Sequence, residues 1–311
     1  MAKKVYIIHE NEEWIKPLKI AFEQLGTNYE DWFINEKNID LQSIPPQGVF
    51  YNRMSASSHT RGNRYAPEIT KVLLEWLEKH NRHIINGSKA IKIELSKAEQ
   101  YLSLNSFGIQ TPKTIVANST KLLVSAVKLL NCYPFILKPN RGGKGTGVQL
   151  FNSLTDIENA IKNNTIGETL DGIWLIQEYI KPHDKTITRV EFVDGNFLYA
   201  VKVLASDDFD LCPADSCQIE DAFCPAGNEN SKFKIAENYS NEDLDKYKSF
   251  FKANDIGIGA LEYSCNSKGE KFVYDVNTNT NYNQKAENET VNKLQGMKQI
   301  AQFLTKRLNE M

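Results

Sequence analysis

The stretch KPNRGGKGTGV, residues 138–148, follows the apolar run PFIL (134–137) and places four glycines and two cations in the seven positions after Asn140. That composition suits a loop that cradles phosphates, and its flanks decide which kind. A P-loop needs G-x-x-x-x-G-K-[ST] running into a helix, and here no Lys-Ser or Lys-Thr follows the second glycine. A dinucleotide loop opens the helix after the first strand of its unit, whereas this loop lies mid-chain and GVQLF (147–151) behind it reads as a strand. What remains is a strand, glycine loop, strand hairpin. Its glycines let the backbone approach a polyphosphate, and Lys138 supplies a compact positive charge at the strand end. Such a hairpin can close as a lid, although a flexible surface turn has the same composition.

Working outward, strand and helix signals alternate. KVYIIHE (4–10) is a buried strand, EEWIKPLKIAFEQLG (12–26) has helical apolar spacing closed by Gly26, and GVFYNRM (48–54) is a second strand. A helix over 66–81 and the short strand HIIN (83–86) complete an α/β unit. Next, ELSKAEQYLSLNSFGIQTPKTIVA (94–117) reads as one linker helix, capped at Ser96 and closed at Gly108, then a strand opened by Pro112. Helix 119–131, strands 133–139 and 147–151, helix 153–164 and strand 173–180 make a small lobe that contains the glycine loop. The rest is strand-rich (186–195, 197–204, 259–265 and 271–277) and ends in an amphipathic helix over 291–308. The expected architecture is α/β in three parts: 1–87, 88–180 and 181–311.

Composition restricts the function classes. With 311 residues, 41% hydrophobic and 24% charged, the chain is long enough for two or three compact cores. A formal charge of −2 gives no electrostatic reason to expect nucleic acid or an anionic membrane. A small-molecule or peptide substrate fits better. The only early apolar run, VYII, is too short for a signal peptide or a membrane span. An odd count of five cysteines favours a reducing cytoplasm over a disulfide framework.

A second constellation lies in GALEYSCNSKGEKFVYDVNTNTNYN (259–283). Two strands joined by a turn bring together Glu262 and Asp275, thirteen positions apart, and the two-residue strand period adds Asn277 to Asp275's face. Two carboxylates and an amide oxygen suit Mg²⁺, which completes its octahedron with water and substrate phosphates. Solvated edge carboxylates are the alternative.

Taken together, these pieces resemble the ATP-grasp ligases, in the branch of ribosomal-protein glutamate ligases and similar amino-acid ligases. The resemblance spans nearly the whole chain. It rests on Lys97, eleven residues before Gly108; on FILKPNRGGKGTGV (135–148) with Lys138; on LIQEYI (175–180); on Arg189 in TRVEF (188–192); and on Glu262, Asp275 and Asn277. It implies an ATP site formed by Lys97, Lys138, the lid residues Gly142, Gly143, Lys144, Gly145 and Gly147, and a hinge of Gln177, Glu178, Tyr179 and Ile180. In that hinge the backbone of Tyr179 and Ile180 would hold the adenine edge. Arg189 and Lys138 would act on the reacting phosphate, and Glu262, Asp275 and Asn277 would hold Mg²⁺, with Mn²⁺ as a substitute. The same resemblance assigns substrate binding to Arg53, at the end of the second strand, whose planar fork suits a carboxylate. His59 and Arg61 in the loop behind it extend that set, along with Lys202 and Asn279.

Departures from the family pattern are specific. Ile187 and Thr188 stand where an acidic residue for the ribose is usual, so Asp184 is the nearest substitute. The segment DDFDLCPADSCQIEDAFCPAG (207–227) replaces the basic, amide-bearing stretch of the glutamate ligases. NTNTNYN (277–283) replaces their small-residue turn, turning Asn279 and Asn281 toward a different acceptor. Cys212, Cys217 and Cys224 lack the paired C-x-x-C knuckle of a zinc site and read as a loop over the substrate. His9 ends the first strand and can approach a substrate, while His80 and His83 read as structural.

The activity implied is carboxylate–amine ligation, in which a carboxylate takes the γ-phosphate of ATP and an amine displaces phosphate from the acylphosphate. An amino acid is one expected substrate, and a homodimer or homotetramer the expected assembly. An ATP-dependent kinase of the same fold and a non-catalytic nucleotide-binding protein are the alternatives.

Overall fold

The structure, a computed structural model, describes residues 3–143, 145–204, 233–236, 239–290 and 295–311. Lys144, Cys212, Cys217 and Cys224 lie outside the described residues, as does the segment 207–227.

The first sheet is parallel and comes from β1 (Lys4–His9), α1 (Glu12–Leu25), β2 (Tyr29–Phe33), β3 (Gly48–Asn52), α2 (Ala66–Lys79) and β4 (His83–Ile85). Its strand order is β2-β1-β3-β4. β1 is buried on both faces, as a covered parallel strand must be. Val5 and Ile7 pack with α1, while Tyr6 and Ile8 face α2. The Asn11 side chain accepts from the Glu13 and Trp14 amides to start α1, and Gly26 at φ 64° ends it. β2, YEDWF, has one buried residue in five and no apolar run, so its pattern did not announce a strand.

The linker helix expected from a cap at Ser96 is present, and a further helix that the sequence reading did not name precedes it. α3 (Ser88–Leu95) and α4 (Lys97–Ser106) meet at Ser96, whose extended backbone (φ −138°, ψ 105°) breaks the ladder while its hydroxyl accepts from the Glu99 amide. A residue that caps one helix cannot also continue the one before it.

The second sheet is antiparallel and contains β5 (Thr114–Ala117), β6 (Phe135–Pro139), β7 (Gln149–Phe151) and β8 (Trp174–Glu178), in the order β5-β8-β6-β7. α5 (Leu123–Leu130) and α6 (Leu154–Lys162) cover one face. The glycine loop joins β6 to β7, as the sequence implies.

β9 (Thr186–Val193), β10 (Asn196–Leu204), β11 (Phe233–Ile235), β12 (Ile258–Cys265) and β13 (Lys271–Asn277) form the third sheet, ordered β11-β10-β9-β12-β13. One face puts Val190, Phe192, Leu261 and Val276 against α4 and α7 (Leu244–Ala253). By the two-residue period the other face carries Arg189, Glu191, Glu262, Asp275 and Asn277. α8 (Gln284–Asn288) follows, and the closing helix α9 (Gly296–Asn309) returns to the first sheet, where Ile300 and Leu304 share a core with Val5, Ile7, Val193 and Ile258.

Candidate active site

The site lies where the three sheets meet, beyond the carboxyl ends of the parallel strands. Two adjoining cavities share Lys97, Gly142, Gly143 and Asp275.

The first cavity is roofed by the glycine loop and backed by β6 and β8. Gly145 and Gly147 have φ of 65° and 77°, which residues with a Cβ rarely adopt, and a Cβ on Gly147 would lie 3.4 Å from Pro139. Lys138 reaches in from β6 and is 6% exposed; burial, followed by the neighbouring Lys97 charge, pushes its amine down to about 7. Its Nζ donates to the Tyr101 hydroxyl at 2.6 Å. At the hinge, Gln177 donates to Thr114 Oγ1 (2.8 Å), and the Glu178 carboxylate accepts from the Lys113 amide (2.7 Å). Gln177, Glu178, Tyr179 and Ile180 all line the cavity.

Across from the hinge, strand register sets Glu262 opposite Asp275 and Ala260 opposite Asn277, so all three site side chains share one face. Asn277 Nδ2 donates to Glu262 Oε1 at 3.3 Å. Each carboxylate also meets a cation: Lys97 pairs with Asp275, and Arg189 Nη1 lies 3.0 Å from Glu262 Oε1. Arg189 is held from behind by Glu191, at 2.5 Å. Among the described residues no three His, Cys, Asp or Glu cluster for a metal. The donor set here is two carboxylates and an amide oxygen, all hard ligands. That set fits Mg²⁺ when phosphate oxygens supply the remainder. Glu262, Asp275 and Asn277 are the residues that would hold it.

The second cavity is polar. Trp14, Ser55, Ser57, Asn279 and Asn281 form its wall, with Lys97, Arg189 and Asn277 toward the first cavity. Glu94 lies beneath it and binds both walls: its carboxylate accepts from the amides of Ala56 (3.0 Å) and Thr278 (2.8 Å) and from the Thr278 hydroxyl (3.0 Å). Burial raises its pKa to about 7.

With this geometry in hand, the comparisons decide the fold family. Residues 87–212 match the family model of the RimK-like ATP-grasp domain. The chain has the ATP-grasp fold. The same architecture recurs in the ATP-grasp ligase PsnB complexed with minimal precursor, Mg and ADP, at TM-score 0.66 and 13% identity over 99% of both chains. D-cycloserine synthetase DcsG matches at 0.66 and 15% over 98% of this chain and 99% of that one. A RimK domain ATP-grasp protein from Sphaerobacter thermophilus matches at 0.66 and 14% over 96% and 98%. No curated protein matches the chain by sequence.

Within this ATP-grasp frame and among the described residues, Lys97, Lys138, Gly142, Gly143, Gly145, Asp275 and the four hinge residues line the first cavity, and Glu262 and Asn277 share Asp275's face. Two expected ATP contacts, at Tyr179 and Asp184, and one expected substrate residue, Lys202, differ. The Tyr179 amide donates to the Pro134 carbonyl (3.3 Å), so that N–H is already committed. Asp184 and Lys202 line neither cavity. Lys202 pairs in register with Thr188, which turns it to the face opposite Arg189, and its amine lies 3.8 Å from Asp184.

The expected carboxylate fork also differs. Arg53 is 2% exposed and its guanidinium donates to Asn279 Oδ1 (3.0 Å), the Trp14 carbonyl (2.9 Å), the Thr280 carbonyl (2.8 Å) and Asn281 Oδ1 (2.8 Å). It stands behind the cavity wall and holds the two asparagines there. Arg61 does the same on the other side: it pairs with buried Glu10, donates to Ser57 Oγ (3.1 Å) and stacks over Trp14 at 4.3 Å. His59 bonds locally to the Ala56 carbonyl and does not line the cavity. His9 is buried against Phe33, and burial pushes its ring down to about 4. Of the expected substrate residues, Asn279 is on the wall.

Trp14, Ser55, Ser57 and Glu94 were missed by sequence reasoning. Trp14 and the serines follow the ends of β1 and β3, the crevice where open α/β sheets bind ligands, and that positional rule could have found them. No local signal marks Glu94.

Proposed function

We propose that the chain is an ATP-dependent, Mg²⁺-requiring carboxylate–amine ligase, acting in the cytoplasm on an amino acid or peptide. The observation that carries this is the line of Lys138, Lys97, Asp275 and Arg189 running from a glycine-roofed cavity into a polar one, with Glu262 paired to Arg189. A nucleotide laid in the first cavity would present its γ-phosphate at the boundary, beside Arg189. A carboxylate in the second cavity would then be placed for in-line attack, with catalysis coming from position and charge. Bound Mg²⁺ supplies neutralisation of the charge spread over the phosphoryl oxygens. Lys138 and Arg189 bind the transferred group, the glycine loop excludes water from the acylphosphate, and Trp14, Ser55, Ser57, Asn279 and Asn281 orient the acid. The acylphosphate and the incoming amine then give an amide and phosphate, with no covalent protein intermediate.

Support for a peptide or amino-acid substrate comes from the chemistry of the second cavity and from the fold shared with PsnB and DcsG. The test is ADP release with Mg²⁺ and ATP across amino acids and short peptides, singly and in pairs, with product masses. A product lighter than its two precursors by one water is expected. A phosphorylated product formed without an amine would identify a kinase, and nucleotide binding without turnover on any acceptor would identify a binding protein.

A further inference from the structure

Tyr101, the hydrogen-bond partner of Lys138, lies on α4. It follows Lys97 by one turn of α4 and is 4% exposed. Its hydroxyl donates to the Tyr274 carbonyl at 2.8 Å and accepts from Lys138 Nζ at 2.6 Å, with that amine also 5.3 Å from the ring centroid. A hydroxyl has one proton. Because the carbonyl takes that proton, the oxygen turns a lone pair toward the amine, and the acceptor is oriented in advance.

The surroundings make this contact a junction. α4 grips β13 on both sides of Asp275: Lys97 pairs with Asp275 itself, and the Gln100 side chain bonds the Val276 amide (3.1 Å) and carbonyl (3.0 Å). Tyr101 adds Tyr274 to that grip and then reaches across to β6. A lysine is a point charge on a flexible four-carbon stem, so its aim depends on what fixes the amine.

We propose that Tyr101 is the positioning residue for Lys138, fixing its amine at the first cavity relative to the strand that carries Asp275. The inference rests on the reading of Lys138 as a nucleotide-phosphate ligand. Removing the hydroxyl alone frees the amine to wander and adds the cost of ordering it to nucleotide binding.

The experiment is calorimetric titration of ATP with Mg²⁺ into the wild type, Tyr101→Phe, Lys138→Met and the double variant, with melting temperatures alongside. Tyr101→Phe keeps the ring and loses the hydroxyl, and about tenfold weaker binding is expected. In the Lys138→Met background the same change should cost nothing further, a non-additivity that a purely structural role would not produce. Wild-type affinity in Tyr101→Phe, or an equal loss with and without Lys138, overturns the inference while leaving the nucleotide site in place. Wild-type affinity in Lys138→Met, or no ATP binding by the wild type, overturns the underlying reading and the inference with it. If Tyr101→Phe fails to fold, Tyr101→Met, which also lacks the hydroxyl, takes its place under the same criteria.

Discussion

At the scale of single residues the candidate site is a set of cations held ready by their neighbours. Lys138 shows the consequence. Burial beside Lys97 lowers its pKa to about 7 from 10.5, so between these values the folded protein carries a neutral amine. An anionic phosphate favours the charged form and reverses that shift. Nucleotide binding near pH 8 should therefore take up close to one proton, and affinity should fall as pH rises above about 7. Calorimetry in buffers of different ionisation enthalpy measures this, and Lys138→Met should abolish the uptake. Arg189 is held between Glu191 and Glu262, and Arg189→Ala should slow turnover by at least about 100-fold and also lower the melting temperature, because it leaves both buried carboxylates without their cation. The residues proposed to face ATP and metal could be named from the sequence because the chemistry expected of them is fixed by phosphate and cation. Arg53 was misread for a physical reason: an arginine at a strand end looks the same whether its fork meets a ligand or, as here, two asparagines and two carbonyls. Arg53→Ala would leave those acceptors unpaired, and a loss of about 3 kcal/mol in denaturant unfolding is expected.

At the scale of elements, the two lysines belong to different pieces of chain, and one junction sets their distance. Asn140, just past β6 and 3% exposed, accepts from the Ala98 amide (2.9 Å) and the Ser96 hydroxyl (3.2 Å), and its carbonyl accepts from the Lys97 amide (3.2 Å). Asn140 thus helps cap α4 from the neighbouring strand. Asn140→Ala should raise the KM for ATP more than it lowers kcat and cost about 1 kcal/mol of stability, seen in steady-state kinetics and melting. Strands rich in apolar residues, such as β1, β6 and β12, could be read directly from their runs. β2 could not, since four of its five residues are only partly buried or exposed; the start of α4 could, because Ser96 is a capping residue, whereas the short helix α3 before it went unread.

At the scale of the whole molecule, α9 binds the end of the chain to its beginning. Leu304 and Ile300 complete a core shared by the first and third sheets. Leu304→Ala should cost about 3 kcal/mol, and tryptophan fluorescence and far-UV circular dichroism should still report one coincident unfolding transition. Two separated transitions would mean that this core does not join the sheets. The shared core could not be foreseen from a linear reading, because a helix pattern shows which face is apolar and not which distant sheet it covers. The most direct test of the central claim is to incubate the chain with ATP, Mg²⁺ and paired amino acids or peptides and to follow ADP and product mass together. The account predicts ADP release that needs both a carboxylate and an amine, yields a product lighter by one water, and disappears in Asp275→Asn. Full turnover in Asp275→Asn, or ADP release with a phosphorylated product and no need for an amine, would contradict it.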